Sequence, residues 1–134
     1  MAGVRVADVM TPHPDLASGW HNVANFTGEA ARSRQDAFPV VGSSGELTGI
    51  VLTSQLARIP ARERPGLRLD QVMLPVPAGY RAAPDDPAAP LATRVPLGGQ
   101  VAAVVLADGR VTGMVTVSDL QQAMRRRTLT STGR

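Results

Sequence analysis

The chain has 134 residues without a cysteine, and its 14 basic and 11 acidic side chains give a formal net charge of +3. Since every basic residue is an arginine, the composition excludes a phosphate loop ending in Gly-Lys, a Schiff-base lysine, disulfides and thiolate metal sites. No apolar run approaches the roughly 18 residues that span a bilayer, and no signal peptide follows Met1. We therefore expect a cytoplasmic module of about one domain in size.

The first half of the chain predicts a helix followed by a hairpin. Apolar residues recur at helical spacing over residues 19–32, and we expect Trp20 and Phe26 of this helix to lie in the core. Two further apolar runs, at residues 37–41 and 47–52, flank a short turn that contains a glycine. This pattern predicts a β-hairpin.

The second half repeats the hairpin but not the first helix. Apolar runs at residues 101–106 and 111–117 flank another glycine turn. The preceding stretch is interrupted by prolines, which leaves only a short helix near residues 87–94. After each hairpin stands a serine, Ser54 or Ser118, that is a good N-cap, and we expect a helix to begin there.

Two stretches of the chain recur at an almost constant offset. Residues 6–12 match residues 69–75 at an offset of 63, and residues 40–56 match residues 104–120 without a gap at an offset of 64. Eight of the 17 positions in the longer match are identical, and the turn glycine is one of them. A repeat of this kind indicates two copies of one supersecondary unit.

The repeated motifs resemble those of a pair of cystathionine-β-synthase-type (CBS) domains, also called a Bateman module. The resemblance rests on the D-V-M-T-P opening at residues 8–12, on F-P-V-V at residues 38–41 and on G-M-V-T-V-S-D-L at residues 113–120. It implies an α/β (α+β) fold in which two β-α-β-β-α units pack about a pseudo-twofold axis. The expected boundaries of the first CBS unit, the linker, the second CBS unit and a flexible tail are residues 1–60, 61–68, 69–128 and 129–134.

The resemblance also implies a regulatory function without catalysis. Family members bind adenosine-containing ligands such as AMP, ATP or S-adenosylmethionine in clefts between the halves, require no cofactor, and pair into flat homodimers. They regulate an enzyme, channel or transporter on the same chain or on a partner. The opening motif, compact linker and arginine-rich end are similar to CBS pairs at the cytosolic C-terminus of bacterial site-2-type intramembrane zinc proteases. We therefore expect a bacterial homodimer in the cytoplasm, or on the cytosolic face of a membrane protease or transporter.

Three polar residues of the last motif, Thr116, Ser118 and Asp119, match the ribose- and phosphate-contacting positions of the family. A helix N-terminus with hydroxyl groups suits a phosphate, and the Asp119 carboxylate suits a ribose diol through charge-assisted hydrogen bonds. The same residues also fit a simple helix cap, and the sequence leaves both roles open. In the first half Leu52 and Gln55 take the places of Thr116 and Asp119, so we expect that site to be degenerate.

Further candidate positions follow from the family pattern, in which they flank an adenine. They are Tyr80, Arg81, Ala102 and Ala103. Phosphate-binding members often carry a basic residue just before the first hairpin strand, where this chain has Gln100 and Val101 in its second half. An adenosine moiety without a polyphosphate therefore also fits the sequence.

Other functions stay open from the sequence. A CBS pair with degenerate clefts would act as a dimerisation or docking module without a nucleotide. We expect no nucleic-acid partner, because the pI of about 10.9 reflects the high pKa of arginine more than an excess of charge. His13 and His21 are too few for a metal site. Motifs of the types H-E-x-x-H, G-x-S-x-G and G-x-G-x-x-G are missing from the sequence, so we expect no catalytic residues.

Overall fold

The computed structural model describes residues 3–132 of the chain. In chain order, its helices and strands are α1 (Val6–Val9), β1 (Thr11–Pro12), β2 (Ala17–Ser18), α2 (Val23–Arg32), β3 (Ala37–Val41), β4 (Leu47–Leu52), α3 (Thr53–Ala57), α4 (Leu69–Val72), β5 (Arg81–Ala82), β6 (Val101–Ala107), β7 (Arg110–Thr116) and α5 (Val117–Thr132). Short 3-10 helices lie at Arg64–Gly66, Ala78–Tyr80 and Ala89–Thr93. The strands form two sheets, in the orders β1-β7-β6-β5 and β2-β3-β4. This is the α/β (α+β) class that the sequence predicts.

The chain divides into two compact units, which we name after one residue of each. The Asp119 unit consists of the chain up to His13, Ala78–Asp108 and the chain from Thr112 onward. The Gln55 unit consists of Pro14–Pro77 and Gly109–Val111. Each unit thus receives its opening helix from the other repeat, since α1 belongs with β6 and α4 belongs with β3 and β4. The expected boundaries at residues 1–60, 61–68, 69–128 and 129–134 follow the repeats and stay a prediction.

Both hairpins form where the sequence predicts them. β3 and β4 pair antiparallel along the whole of Ala37–Val41, with one irregularity at its end. The second hairpin turns through Asp108 and Gly109, both of which have positive φ, at 53° and 77°. Two such residues form a type I′ turn, whose twist matches that of the flanking strands.

The first long helix begins later than residues 19–32 predict. α2 starts at Val23 because the Asn22 side chain accepts hydrogen bonds from two backbone N–H groups of the first turn, at 2.9 and 3.3 Å. Trp20 therefore precedes the helix and is 58% exposed, so its predicted place in the core is wrong. Phe26, at 2% exposure, lies in the core as predicted.

The helices after the hairpins begin one residue before the predicted serines. α3 and α5 start directly after Leu52 and Thr116, which are therefore the N-cap positions in place of Ser54 and Ser118. α5 continues past its three arginines to Thr132 and so enters the predicted tail. The last two residues of that tail lie outside the described residues.

Each unit has its own apolar core. In the Gln55 unit, Phe26 and Phe38 meet edge to face with ring centroids 5.1 Å apart. Aliphatic side chains surround them: Ala17, Val23, Ala30, Val40, Val51, Leu56 and Leu69. The core of the Asp119 unit consists of Val6, Leu91, Ala102, Ala103, Val105, Val115 and Leu120. Leu91 comes from the 3-10 helix Ala89–Thr93, which is the short helix predicted near residues 87–94.

A methionine of each opening motif lies over a glycine of the hairpin strand. A Cβ atom added at Gly113 would collide with the Met10 thioether. One added at Gly49 would lie 2.6 Å from Met73 Sδ and 2.8 Å from the carbonyl oxygen of Leu74. Gly49 is therefore required for close packing against a backbone carbonyl, whereas Gly113 gives room to the flexible Met10 side chain.

Replacing Gly49 with alanine should destabilise the protein by about 1–3 kcal/mol, because the new methyl group meets the backbone carbonyl of Leu74. Gly113→Ala should destabilise less, since only the flexible Met10 side chain has to move. Gly28→Ala is the control, because nothing lies within 4 Å of its new methyl group. Alanine there should stabilise α2 by up to about 1 kcal/mol. Urea unfolding measures the free energy of unfolding of the three variants. If Gly28→Ala destabilises the protein as much as Gly49→Ala does, the predicted order is contradicted.

Candidate functional site

The end of β7 and the start of α5 form a reciprocal capping box. The Thr116 backbone N–H donates to Asp119 Oδ2 at 2.9 Å, and the Asp119 N–H donates back to Thr116 Oγ1 at 3.1 Å. The T-x-x-D spacing allows this because the N-cap and the third helical residue meet across the first turn. Both residues are partly buried. Thr116 and Asp119 therefore cap α5, with Thr116 in the N-cap role predicted for Ser118.

Thr11 of β1 adds a third side chain to this arrangement. Its hydroxyl donates to Asp119 Oδ1 at 2.9 Å, although 108 positions separate the two residues in sequence. β1 reaches the site because it pairs antiparallel with β7, with Thr11 opposite Met114. Each Asp119 oxygen thus accepts one of these hydrogen bonds. Since a carboxylate oxygen has two acceptor positions, each has a second one to offer to a ligand hydroxyl.

The first turn of α5 has protein partners for part of its N–H groups. The Val117 N–H donates to the Gln100 carbonyl oxygen at 2.9 Å, and the Asp119 N–H is bound by Thr116. Ser118 stands between them with an exposed side chain. A phosphate therefore meets fewer free donors here than at an uncapped helix N-terminus.

Tyr80 and Arg81 lie where the 3-10 helix Ala78–Tyr80 continues into β5. The Tyr80 hydroxyl donates to the Val95 carbonyl oxygen, and the Arg94 guanidinium carbon lies 5.4 Å from the centroid of the Tyr80 ring. Arg81 and Arg94 both line a cavity of about 180 Å³. Sites for drug-sized ligands usually exceed roughly 300 Å³, so this cavity alone is too small for a whole nucleotide.

Ala102 and Ala103 are buried in the core of the Asp119 unit, at 1% and 0% exposure. β5 runs parallel to β6 with Arg81 opposite Val104. Tyr80 and Ala103 each stand one position before that pair, so the strand pairing brings these two candidate residues near one another. The candidates on β5 and β6 are thus brought together by strand pairing. Thr116 and Asp119, at the start of α5, are joined by hydrogen bonds.

At the equivalent position of the Gln55 unit, backbone groups bind both ends of the Gln55 side-chain amide. Gln55 Oε1 accepts from the Leu52 N–H at 3.2 Å, and the Gln55 amide nitrogen donates to the Val72 carbonyl oxygen. Leu52 and Leu74 stand where the Asp119 unit has its two threonines. This position has an amide in place of a carboxylate, and the predicted degeneracy of this site stays a prediction.

Thr11 contacts the candidate site but is not among the residues that the sequence predicts for it. Thr11 belongs to the D-V-M-T-P motif, which by itself indicates the repeat and the family resemblance but no contact with Asp119. A signal was nevertheless present, because three positions differ together between the two repeats. Threonine becomes leucine at two of them, and aspartate becomes glutamine at the third.

The two histidines lie in different units. His13 is exposed and has a positive φ of 48°, whereas His21 Nδ1 lies 3.8 Å from Glu29 Oε2 in the Gln55 unit. Within residues 3–132, no three histidine, aspartate or glutamate side chains come together as a metal site would need. None of the helices in this part of the chain is long and apolar enough to cross a membrane.

No protein-family model matches the sequence. "Putative zinc metalloprotease Rip3" of Mycobacterium tuberculosis is 37% identical over 121 residues, which cover 89% of this chain. The chain spans about a third of that protein, at 31% of its length. The likeness therefore concerns one segment of Rip3.

Solved structures of CBS domains have the same fold. CBSX2 of Arabidopsis thaliana, a CBS-pair protein, superposes with a TM-score of 0.81 at 17% identity, covering 95% of this chain and 98% of its own. CBSX2 in complex with AMP gives a TM-score of 0.74 at 18% identity over 94% and 99% of the two chains. The CBS domain of a bacterial CNNM/CorC family Mg²⁺ transporter in complex with ATP gives 0.72 at 18% identity over 89% and 85%.

Proposed function

Because the chain has the fold of a tandem CBS pair, we propose that it is a regulatory module that binds an adenosine-containing ligand and thereby changes the activity of an attached or partner protein. The ligand binds in the Asp119 unit, where β7 meets α5. The observation that carries this proposal is the Asp119 carboxylate, which is held by one protein donor on each oxygen, from Thr11 and from Thr116.

A ribose diol fits the acceptor positions that remain on this carboxylate. Its two neighbouring hydroxyl groups donate one hydrogen bond to each Asp119 oxygen, and hydrogen bonds to a charged group are worth about 1.5–3 kcal/mol each. Two CBS structures of the same fold hold AMP and ATP, which supports this ligand class. Because the equivalent position around Gln55 has no carboxylate, the chain binds one ligand.

The ligand regulates by shifting a conformational equilibrium. Only a difference in its affinity for two states of the module does work, and a tenfold difference corresponds to about 1.4 kcal/mol. The Asp119 side chain, which belongs to α5, joins this helix to β1 and β7 by accepting hydrogen bonds from Thr11 and from the Thr116 N–H. A ligand on that side chain therefore favours the arrangement in which these elements are held together.

The protein that the module regulates is, in this proposal, a bacterial membrane protease. The identity of 37% with a segment of Rip3 supports it, and the module then lies on the cytosolic face of the membrane. The module itself performs no catalysis. It forms a homodimer, and light scattering on a sizing column measures the mass that tests this. Adding AMP to the full-length protease should change its cleavage rate, and Asp119→Asn should remove that response.

AMP should bind at least as tightly as ATP. Two N–H groups at the start of α5 already have protein acceptors, and the added phosphates of ATP bring further negative charge toward the Asp119 carboxylate. At an effective dielectric constant of about 20, such repulsion weakens ATP relative to AMP by a few-fold or more. Competition titrations with both nucleotides measure the ratio, and tighter binding of ATP than of AMP would contradict this assignment.

A thermal-shift panel tests the proposed function. It contains adenosine, AMP, ADP, ATP, NAD, S-adenosylmethionine and cyclic dinucleotides. A ligand at 100 times its dissociation constant adds about 2.7 kcal/mol, which raises the Tm by several degrees. We expect an adenosine compound to raise the Tm of the wild type and to leave that of Asp119→Ala unchanged. A flat panel with a well-folded protein would contradict ligand binding.

The second candidate function is docking without a nucleotide. The internally bound Gln55 favours it, because that unit keeps the fold with an amide in place of the carboxylate. If the panel is flat, we expect the module to bind its partner with the same affinity in the presence and absence of every nucleotide.

A further inference from the structure

The hydrogen bond from Thr11 to Asp119 gives the opening motif a part in the site. We propose that Thr11 is a positioning residue that fixes the Asp119 carboxylate for recognition of a ribose, an inference that rests on the proposed function. Thr11 donates to Oδ1 at 2.9 Å, while the Thr116 N–H donates to Oδ2 at 2.9 Å. The two donors come from different strands and hold opposite ends of the same group.

Two anchors restrict the carboxylate more than one does. With the Thr116 N–H alone, the group can still turn about its Cβ–Cγ bond, because this terminal torsion is broad. A second donor on the other oxygen fixes the plane, so that the remaining acceptor position of each oxygen keeps a constant direction. A vicinal diol needs both directions at once, and a fixed acceptor pair binds it with less loss of entropy.

Thr11 is itself held firmly enough to do this. Its strand pairs with β7 through Thr11 opposite Met114 and Pro12 opposite Gly113. The preceding Met10 packs its side chain over Gly113, against the same strand. Threonine is also restricted about χ1 by its branched Cβ atom. The hydroxyl is therefore presented by a fixed backbone and a stiff side chain.

The other repeat shows that the fold does not need this hydrogen bond. Leu74 stands where Thr11 would be, and its backbone still joins the sheet by pairing with Ile50. Gln55 stands where Asp119 would be, and it binds the backbone of Val72 instead. The hydroxyl is thus present where the carboxylate is present, and both are absent from the other unit. This joint occurrence indicates that the hydroxyl positions the carboxylate and is not needed to hold the strand in the sheet.

The test compares Thr11→Val, Thr11→Ser and the control Thr112→Val by calorimetric titration with AMP and with 2′-deoxy-AMP. Valine keeps the shape but removes the hydroxyl, and serine restores it. Thr112 is a threonine of the same sheet whose hydroxyl faces the Val105 carbonyl at 3.5 Å. We expect Thr11→Val to weaken AMP about 10-fold and 2′-deoxy-AMP much less. Thr11→Ser should remain close to the wild type, and Thr112→Val should be unchanged.

A reduced preference for AMP over the deoxynucleotide supports the proposal, since a merely structural role would weaken both ligands equally. An equal loss for both ligands, or an unchanged AMP affinity in Thr11→Val, overturns it while the proposed function stands. Failure of the wild type to bind AMP overturns the proposed function and the positioning role together. Thermal unfolding tests the hydrogen bond without a ligand. Thr11→Val should lower the Tm when Asp119 is present but not in the Asp119→Ala background. An equal loss in both backgrounds overturns the proposal.

Discussion

Replacing Asp119 with asparagine should raise the dissociation constant of AMP by about 100-fold or more. The substitution keeps the size of the side chain but removes its charge and one of its two acceptor atoms. Two charge-assisted hydrogen bonds to the ribose are lost, each worth about 1.5–3 kcal/mol. The amide also faces donors on both sides, because Thr11 and the Thr116 N–H each donate to the native carboxylate. Calorimetric titration measures the change.

The matched control is Gln55→Ala, at the same position of the other repeat. The Gln55 side chain binds only the backbone of its own unit, so its loss should lower stability slightly and leave the AMP affinity as it is. Circular dichroism and the Tm show whether Asp119→Asn still folds. If Gln55→Ala weakens AMP as much as Asp119→Asn does, the ligand is not bound through Asp119.

Replacing Phe38 with alanine should destabilise the protein by about 3–5 kcal/mol. Its side chain is 2% exposed, and its ring meets that of Phe26 edge to face at 5.1 Å. Removing it leaves a cavity that the paired strands β3 and β4 cannot close, and it removes the contact between the two rings. The free energy of unfolding in urea, from midpoint and slope together, measures the loss.

Trp20→Ala is the control for this experiment. Trp20 is the larger residue, but it is 58% exposed and precedes α2, so its loss should change the free energy of unfolding by much less than that of Phe38. Trp20 is also the only tryptophan, so unfolding of this variant is followed by far-UV circular dichroism. A larger loss from Trp20→Ala than from Phe38→Ala would contradict the placement of the two aromatic side chains.

The strands and the repeat were predictable because local patterns determine them. An apolar run on each side of a glycine turn is enough to place both hairpins, and in the second one Asp108 and Gly109 supply the two positive φ values that the turn requires. The predicted start of α2 was too early, because the helical spacing of apolar residues extends to Trp20, on the N-terminal side of Asn22. The Asn22 side chain accepts hydrogen bonds from backbone N–H groups of the first turn, so the helix begins at Val23 and Trp20 lies before it.

The candidate site was predictable only in part, because one of its contacts is not local. Thr116 and Asp119 lie three residues apart, so the capping box follows from their spacing. Thr11 lies 108 residues away from its partner, and only the exchange of opening motifs between the two repeats brings it to β7. No periodicity within one repeat signals this. A comparison of the two repeats does signal it, because Thr11, Thr116 and Asp119 are replaced together by leucine, leucine and glutamine.

The stoichiometry of AMP binding distinguishes one ligand position per chain, at Asp119, from two equivalent positions. Titration calorimetry of the wild type should give one AMP per chain, with the heat of binding lost in Asp119→Asn and retained in Gln55→Ala. Two equivalent sites per chain would contradict the difference between the Asp119 and Gln55 units. Absence of binding by a folded wild type would contradict the assignment of AMP to this module.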